Sequence, residues 1–227
     1  GAKQSLGLLF DSQIVVMFYN VGWLKKLKAD TPPQTWDEFR KMCNVARDKK
    51  AATFGYAYAV DGPTLVNWIS GLGGMLIDPR TGQALFDSSE AIAAVSLIKD
   101  LMEDGCTYCV SEAGVDHADF AAEKVLFTFG STGDLPKYVE AIASIKTKKP
   151  RFKWDIAPMP HLTSEPLVNI QGSIMSILRT TPHQQLAAWL FLKSLLQPEN
   201  DVRWALATGA LPMHKSSQEV TEMQAYF

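Results

Sequence analysis

Apolar positions along this chain alternate between strand-like runs and helix-like stripes. "SQIVVMFYN" (Ser12–Asn20) is a β-branched and aromatic run that predicts a buried strand. After "TPP", Thr35 and Glu38 form a capping box, and Phe39, Met42, Cys43 and Ala46 then fall on one helical face. "ATFGYAYAV" (Ala52–Val60) alternates as a strand and ends at the turn signal Asp61-Gly62-Pro63. The following helix stops at Gly73-Gly74, and "DPRTGQALFDS" predicts a loop or hairpin.

"DSSEAIAAVSLIKDLMEDG" predicts a helix capped by Asp87 or Ser88, with Ala91, Val95, Ile98 and Met102 on one face and Gly105 at its stop. "DHADFAAEK" predicts a short helix feeding a strand at Val125–Gly130. Strands are also predicted in "WDIAPMP" and "VNIQGSIMSIL". Thr181, Pro182 and Gln184 open a helix with a second capping box. Leu186, Leu190 and Lys193 make one stripe of it and Trp189, Leu192 and Leu196 another, which predicts burial on two sides. Pro198 opens a last helix that ends at Gly209. Strands interleaved with helices predict an α/β fold, and their irregular spacing excludes a regular barrel.

Composition adds limits. The chain has 227 residues, 47% of them hydrophobic, and a formal net charge of −2. That gives no general attraction to nucleic acid, and the basic run Lys146–Lys153 carries one interleaved aromatic, Phe152. No apolar run approaches the ~20 residues of a membrane span. The four histidines, His117, His161, His183 and His214, are scattered without metal-ligand spacing, so no metal site is predicted.

"FGSTGD" (Phe129–Asp134) joins a strand to a helix, the place for a nucleophile or a phosphate cradle. A G-x-S-x-G elbow around Ser131 fails because Phe129 occupies the first glycine position. A P-loop fails because Gly130 and Gly133 stand too close together and no Lys-Ser pair follows. A helix cap and a ligand grip remain: two glycines admit close backbone approach, and Ser131 and Thr132 offer hydroxyls. Asp11, Asp61 and Asp134 are carboxylates near turns. Trp68, with Tyr56 and Tyr58, either stacks on a sugar ring or fills core, and core packing is the reading for Trp23, Trp36, Trp189 and Trp204. Cys106 and Cys109 form a C-x-x-C that follows a helix end, which reads as a local disulfide or two plain thiols rather than a redox motif. Cys43 reads as a small packed residue. A hydrolase using Ser131, or a thiol oxidoreductase using Cys106 and Cys109, is the enzymatic alternative.

Seven segments in order carry a resemblance: "FDSQIVVMFYN", "PPQTWDEF", "FDSSEAIAAVSLIKDLMEDG", "DFAAEKVLFTFGSTG", "WDIAPMP", "AAWLFLKSLLQPENDVRWALATGALPMHKSS" and "MQAYF". Together they resemble the family 1 extracellular solute-binding proteins of bacterial ABC importers, which include glycerol-3-phosphate and maltodextrin binders. The resemblance implies a periplasmic-binding-protein-like (type II) α/β lobe with a mixed sheet flanked by helices. It implies a second lobe over 1–168, a hinge-crossing strand over 169–178, and a helical segment over 179–227 that packs on the first lobe in intact relatives. It also implies that about a hundred preceding residues and a further helical stretch are missing, consistent with two-domain lengths.

The implied function is binding a sugar or polyol in an inter-lobe cleft and delivering it to ABC permease subunits, without catalysis or cofactor. A glycerol-phosphate-type ester is the alternative ligand. The implied setting is extracytoplasmic, in the periplasm or as a cell-surface lipoprotein anchored outside this sequence. The implied ligand-binding positions are Ser12, Gln13, Asp61, Thr64, Trp68, Ser131, Thr132, Gly133, Asp134, Gln171 and Gly172. Maltodextrin binders carry a Trp in the turn where this chain has Gly133-Asp134, and glycerol-phosphate binders a Tyr where it has Ala210.

Overall fold

The computed structural model describes residues 7–110, 112, 114–143 and 149–219. In chain order its strands are β1 (Leu8–Gln13), β2 (Val15–Asn20), β3 (Phe54–Ala59), β4 (Thr107–Val110), β5 (Val125–Ser131), β6 (Trp154–Ala157) and β7 (Gln171–Met175). Its helices are α1 (Val21–Lys26), α2 (Trp36–Ala46), α3 (Gly62–Gly71), α4 (Ser89–Glu103), α5 (Val115–Ala121), α6 (Leu135–Ile142), α7 (Pro182–Leu195) and α8 (Pro198–Thr208). The fold is α/β, with a mixed sheet flanked by helices.

The residues group into two units. One holds Gly1–Ile14, Thr132–Pro136 and Ile170–Phe227; the other holds Val15–Ser131 and Lys137–Asn169. Residues 7–14 and 132–136 group with the C-terminal segment. The single strand expected over Ser12–Asn20 is two, parted at Ile14 where the chain passes between units.

The larger unit is built on a five-stranded sheet of order β4-β3-β5-β2-β6. β3 runs parallel to β4 and β5, while β2 runs antiparallel to β5 and β6. All six residues of β2 are buried. Met17 and Tyr19 join the core under α2, α3 and α4, whereas Phe18 stacks on Tyr138 of α6 at 3.8 Å between ring centroids. A strand covered on both faces reads as a continuous apolar run, which is why its pattern does not alternate. The main core is aromatic: Trp36 stacks on Trp68 at 4.3 Å, and Phe39 packs on Phe129 at 5.4 Å.

The capping box of α2 forms, with Thr35 accepting from the Glu38 N–H and Glu38 from the Thr35 N–H. α2 buries Trp36, Phe39, Cys43 and Ala46. In α4 the buried face is Ala91, Ala94, Ile98 and Leu101. Val95, expected on that face, is exposed, because the helix turns its small alanines toward its neighbours instead.

The smaller unit pairs β1 antiparallel with β7, with a bulge between Phe10 and Gln13. Asp11 takes the strain of that bulge at a φ of 58°. Gly172 faces it: a Cβ there would stand 2.9 Å from the Asp11 carbonyl oxygen. α7 starts at its Thr181–Gln184 capping box but buries only Leu192. The expected burial on two sides is not met within these residues, since Leu186, Trp189, Leu190 and Phe191 are exposed. α8 ends at Gly209 in the left-handed conformation, as its sequence predicts. Among the described residues no helix is long and apolar enough to cross a membrane. The expectations resting on Lys146–Lys148 and on "MQAYF" lie outside the described residues.

Candidate functional site

In the smaller unit, three segments far apart in sequence are laced together. The Thr132 N–H donates to the Ile14 carbonyl at 2.8 Å, and the Ile14 N–H donates to Thr132 Oγ1 at 3.4 Å. The Leu211 N–H donates to the Ser12 carbonyl at 2.6 Å. Gly209, at a φ of 74°, presses on the turn: a Cβ there would stand 2.1 Å from the Thr132 carbonyl oxygen. The Gln13 carboxamide lies over Gly133, where a Cβ would stand 2.4 Å from Oε1. Gln171 is the ladder partner of Gln13 across the β1–β7 pair. Ser12, Gln13, Thr132, Gly133, Asp134, Gln171 and Gly172 thus belong to one unit.

Burial separates them by role. Gln13, Gly133, Asp134 and Gln171 are half-buried, open enough to meet a solute. Thr132 and Ser12, both expected as ligand-facing hydroxyls, are buried. Thr132 pins the turn to Ile14, and Ser12 anchors Leu211. Gly172 admits the strand bulge.

The larger unit holds Asp61, Thr64, Trp68 and Ser131. Asp61 caps α3, accepting from the Thr64 N–H at 2.6 Å and from the Thr64 hydroxyl at 2.9 Å. Asp61 itself is exposed. Thr64 is buried with its hydroxyl donated to Asp61, so it orients the carboxylate instead of meeting a solute. Burial first, then the Asp61 carboxylate, pushes the Tyr58 phenol up.

Trp68 takes the core place that was the other reading of its ring. It has 0% exposure among Trp36, Phe39, Tyr56 and Phe129, and its ring has no face to offer a sugar. Ser131 is half-buried at the last ladder position of β5, opposite Val15.

Trp204 differs from its sequence reading, as Trp189 does. Trp204, expected in core, is 40% exposed, packs on Phe10 at 4.8 Å and donates its indole N–H to Asp11 Oδ1 at 3.3 Å. Gln13 Nε2 shares that oxygen at 3.4 Å. Trp204 lies off the buried face of its helix, which is Asp201, Val202 and Ala205. The C-x-x-C residues part company. Cys106 is buried with Sγ donating to the Leu101 carbonyl at 3.4 Å, while Cys109 is exposed on β4. A redox C-x-x-C opens a helix; this one opens a strand.

The smaller unit thus gathers amides and small turns from three separate segments of an α/β chain. The chain belongs to the bacterial extracellular solute-binding protein family, whose model matches residues 1–226. It is 22% identical over 234 residues to the periplasmic sn-glycerol-3-phosphate-binding protein UgpB of Shigella dysenteriae, covering 96% of this chain and 51% of that one. The same protein of Escherichia coli K12 matches equally. The chain therefore spans about half the length of the curated relatives it matches. Among solved structures, UgpB from Mycobacterium tuberculosis in complex with glycerophosphocholine superposes with a TM-score of 0.78 at 19% identity, over 97% of this chain and 55% of that one. An ABC-transporter solute-binding protein from Agrobacterium radiobacter K84 in complex with ribitol gives 0.75 at 19%, over 98% and 56%. These are type II periplasmic-binding-protein folds.

Proposed function

We propose that this protein is the substrate-binding component of an ABC importer, which takes a neutral sugar or polyol and delivers it to transmembrane permease subunits. The observation that carries the reading is the Gln13 carboxamide seated over Gly133, with Gln171 as its ladder partner. Carboxamides both donate and accept, as a hydroxyl does, so a pair of them matches a polyhydroxylated solute. Asp134 of the same unit would add a carboxylate. Ribitol in the Agrobacterium relative is a solute of this chemistry.

The remaining parts of the reading rest on family membership. The protein would work outside the cytoplasm, in the periplasm or as an anchored lipoprotein, and bind without covalent chemistry. The larger unit would be the second lobe, and the exposed apolar face of α7 would pack on a first lobe.

A glycerol-phosphate ester is the second reading, favoured by the matches to UgpB. The candidate side chains of the smaller unit speak for the neutral solute, because Gln13 and Gln171 offer amides while Asp134 would repel a phosphate.

A thermal-shift screen of the full-length gene product against sugars, polyols and phosphate esters tests both. A melting temperature raised by a sugar or polyol supports the first reading. A shift with phosphate esters alone moves the assignment to the second, and a flat response across the panel sinks solute binding.

A further inference from the structure

Two side chains of α2, and that of Arg47 just past its end, reach one short segment at the end of α4. Arg40 Nε and Nη2 donate to the Asp104 carboxylate at 2.7 and 3.1 Å, and Asn44 Nδ2 donates to it at 3.0 Å. Arg47 Nη1 donates to the Asp104 carbonyl at 2.8 Å. Residues 40, 44 and 47 form one stripe along the helix, and Cys43 lies beside it on the inward face. The segment they hold continues through Gly105 into Cys106.

Cys43 and Cys106 both close on Gly55 of β3. A Cβ at Gly55 would stand 2.2 Å from Cys43 Cα, and the Gly55 N–H donates to the Cys106 carbonyl at 2.8 Å. Both cysteines have 0% exposure and belong to the same core. Because Tyr56 pairs with Thr107 in the parallel β3–β4 ladder, Gly55 and Cys106 stand side by side one residue earlier and point to the same face of the sheet, the face that Cys43 covers. Cys109 faces outward, its Sγ 3.9 Å from Met102 Sδ.

We propose that Cys43 and Cys106, not Cys106 and Cys109, form a disulfide when this protein matures in an oxidising extracytoplasmic compartment. The bond staples α2 to the start of β4 and closes a loop of about 60 residues. The two thiols give up two protons and two electrons. The disulfide of a thiol–disulfide oxidoreductase, or of oxidised glutathione, takes up both and leaves as two thiols, by way of a mixed disulfide. Both sulfurs are buried in the fold, so exchange occurs before α2 closes over β3, and the finished bond is shielded from reductants. Cys109 remains a single exposed thiol. This inference draws only on the extracellular setting of the family and is independent of the solute.

The test is a non-reducing proteolytic map of the full-length protein, folded with oxidised and reduced glutathione and alkylated in denaturant. The expected result is a peptide pair joined through Cys43 and Cys106, about 2 Da lighter than the two reduced peptides, with Cys109 alkylated. Cys109→Ser retains the joined pair. The oxidised protein melts at a higher temperature than the same protein after reduction. Alkylation of all three cysteines, or a joined peptide through Cys106 and Cys109, overturns the proposal without any variant having to fold.

Discussion

The Gln13 carboxamide rests on the bare backbone of Gly133, with its Oε1 2.4 Å from where a Cβ would be. A side chain at 133 must therefore displace the carboxamide. The displaced group is the far end of a flexible side chain, so folding loses little. Binding should lose more, because the amide no longer points where the β1–β7 pair aims it. For Gly133→Ala in the full-length protein, we expect solute affinity to fall about tenfold, near 1.4 kcal/mol, with the melting temperature almost unchanged. Isothermal titration with the solute found by screening measures this. Undiminished affinity would remove Gln13 from the site.

Gly209 makes the opposite prediction. It combines a φ of 74° with a backbone neighbour, the Thr132 carbonyl oxygen, which cannot swing away. Gly209→Ala should cost more than about 2 kcal/mol of stability, since left-handed strain and the clash add. Urea unfolding gives the value. A loss under about 0.5 kcal/mol would mean that the turn is not held where these distances put it.

Features that depend on a few neighbouring residues were legible in the chain. The capping boxes at Thr35–Glu38 and Thr181–Gln184 and the stop at Gly209 each need only local chemistry, and each forms. What depended on packing was not legible. The hydroxyls of Thr64 and Thr132 look like ligand groups in one dimension, but each is spent inside the fold, on Asp61 and on Ile14. The break at Ile14 was hidden because no turn residue marks it and only the separate partners of β1 and β2, namely β7 and β5, divide them. Burial then decides which side chains, in the stretches the family resemblance points to, are open to solvent.

Trp68 illustrates that division and gives a third prediction. Its ring is enclosed by Trp36, Phe39, Tyr56 and Phe129, so its removal leaves a large cavity. Trp68→Ala should destabilise the protein by about 3–5 kcal/mol. Solute binding should leave the Trp68 environment unchanged, which a single-tryptophan variant retaining only Trp68 would report by fluorescence. A shift of that emission on titrating the solute would restore the stacking role.

The last prediction concerns acid. The hydrogen bond from Arg40, then that from Asn44, holds the Asp104 carboxyl down at about 2, against an ordinary value of 3.8. A carboxyl with a depressed folded-state pKa contributes stability that is complete above its unfolded value and is lost as pH falls through its folded value. Asp104 should therefore stabilise the protein fully above about pH 4 and cease to do so near pH 2. The Arg40 and Asp104 side chains are 37% and 26% exposed, so solvent screens the pair and its contribution should be about 1 kcal/mol or less. Asp104→Asn should unfold at a lower urea concentration than the parent at pH 7, and the two midpoints should converge between pH 4 and pH 2. Other carboxylates titrate in both proteins and cancel in the difference. A gap that persists unchanged at pH 2 would show that the ion pair does not produce it, because a protonated Asp104 has lost the charge that Arg40 recognises.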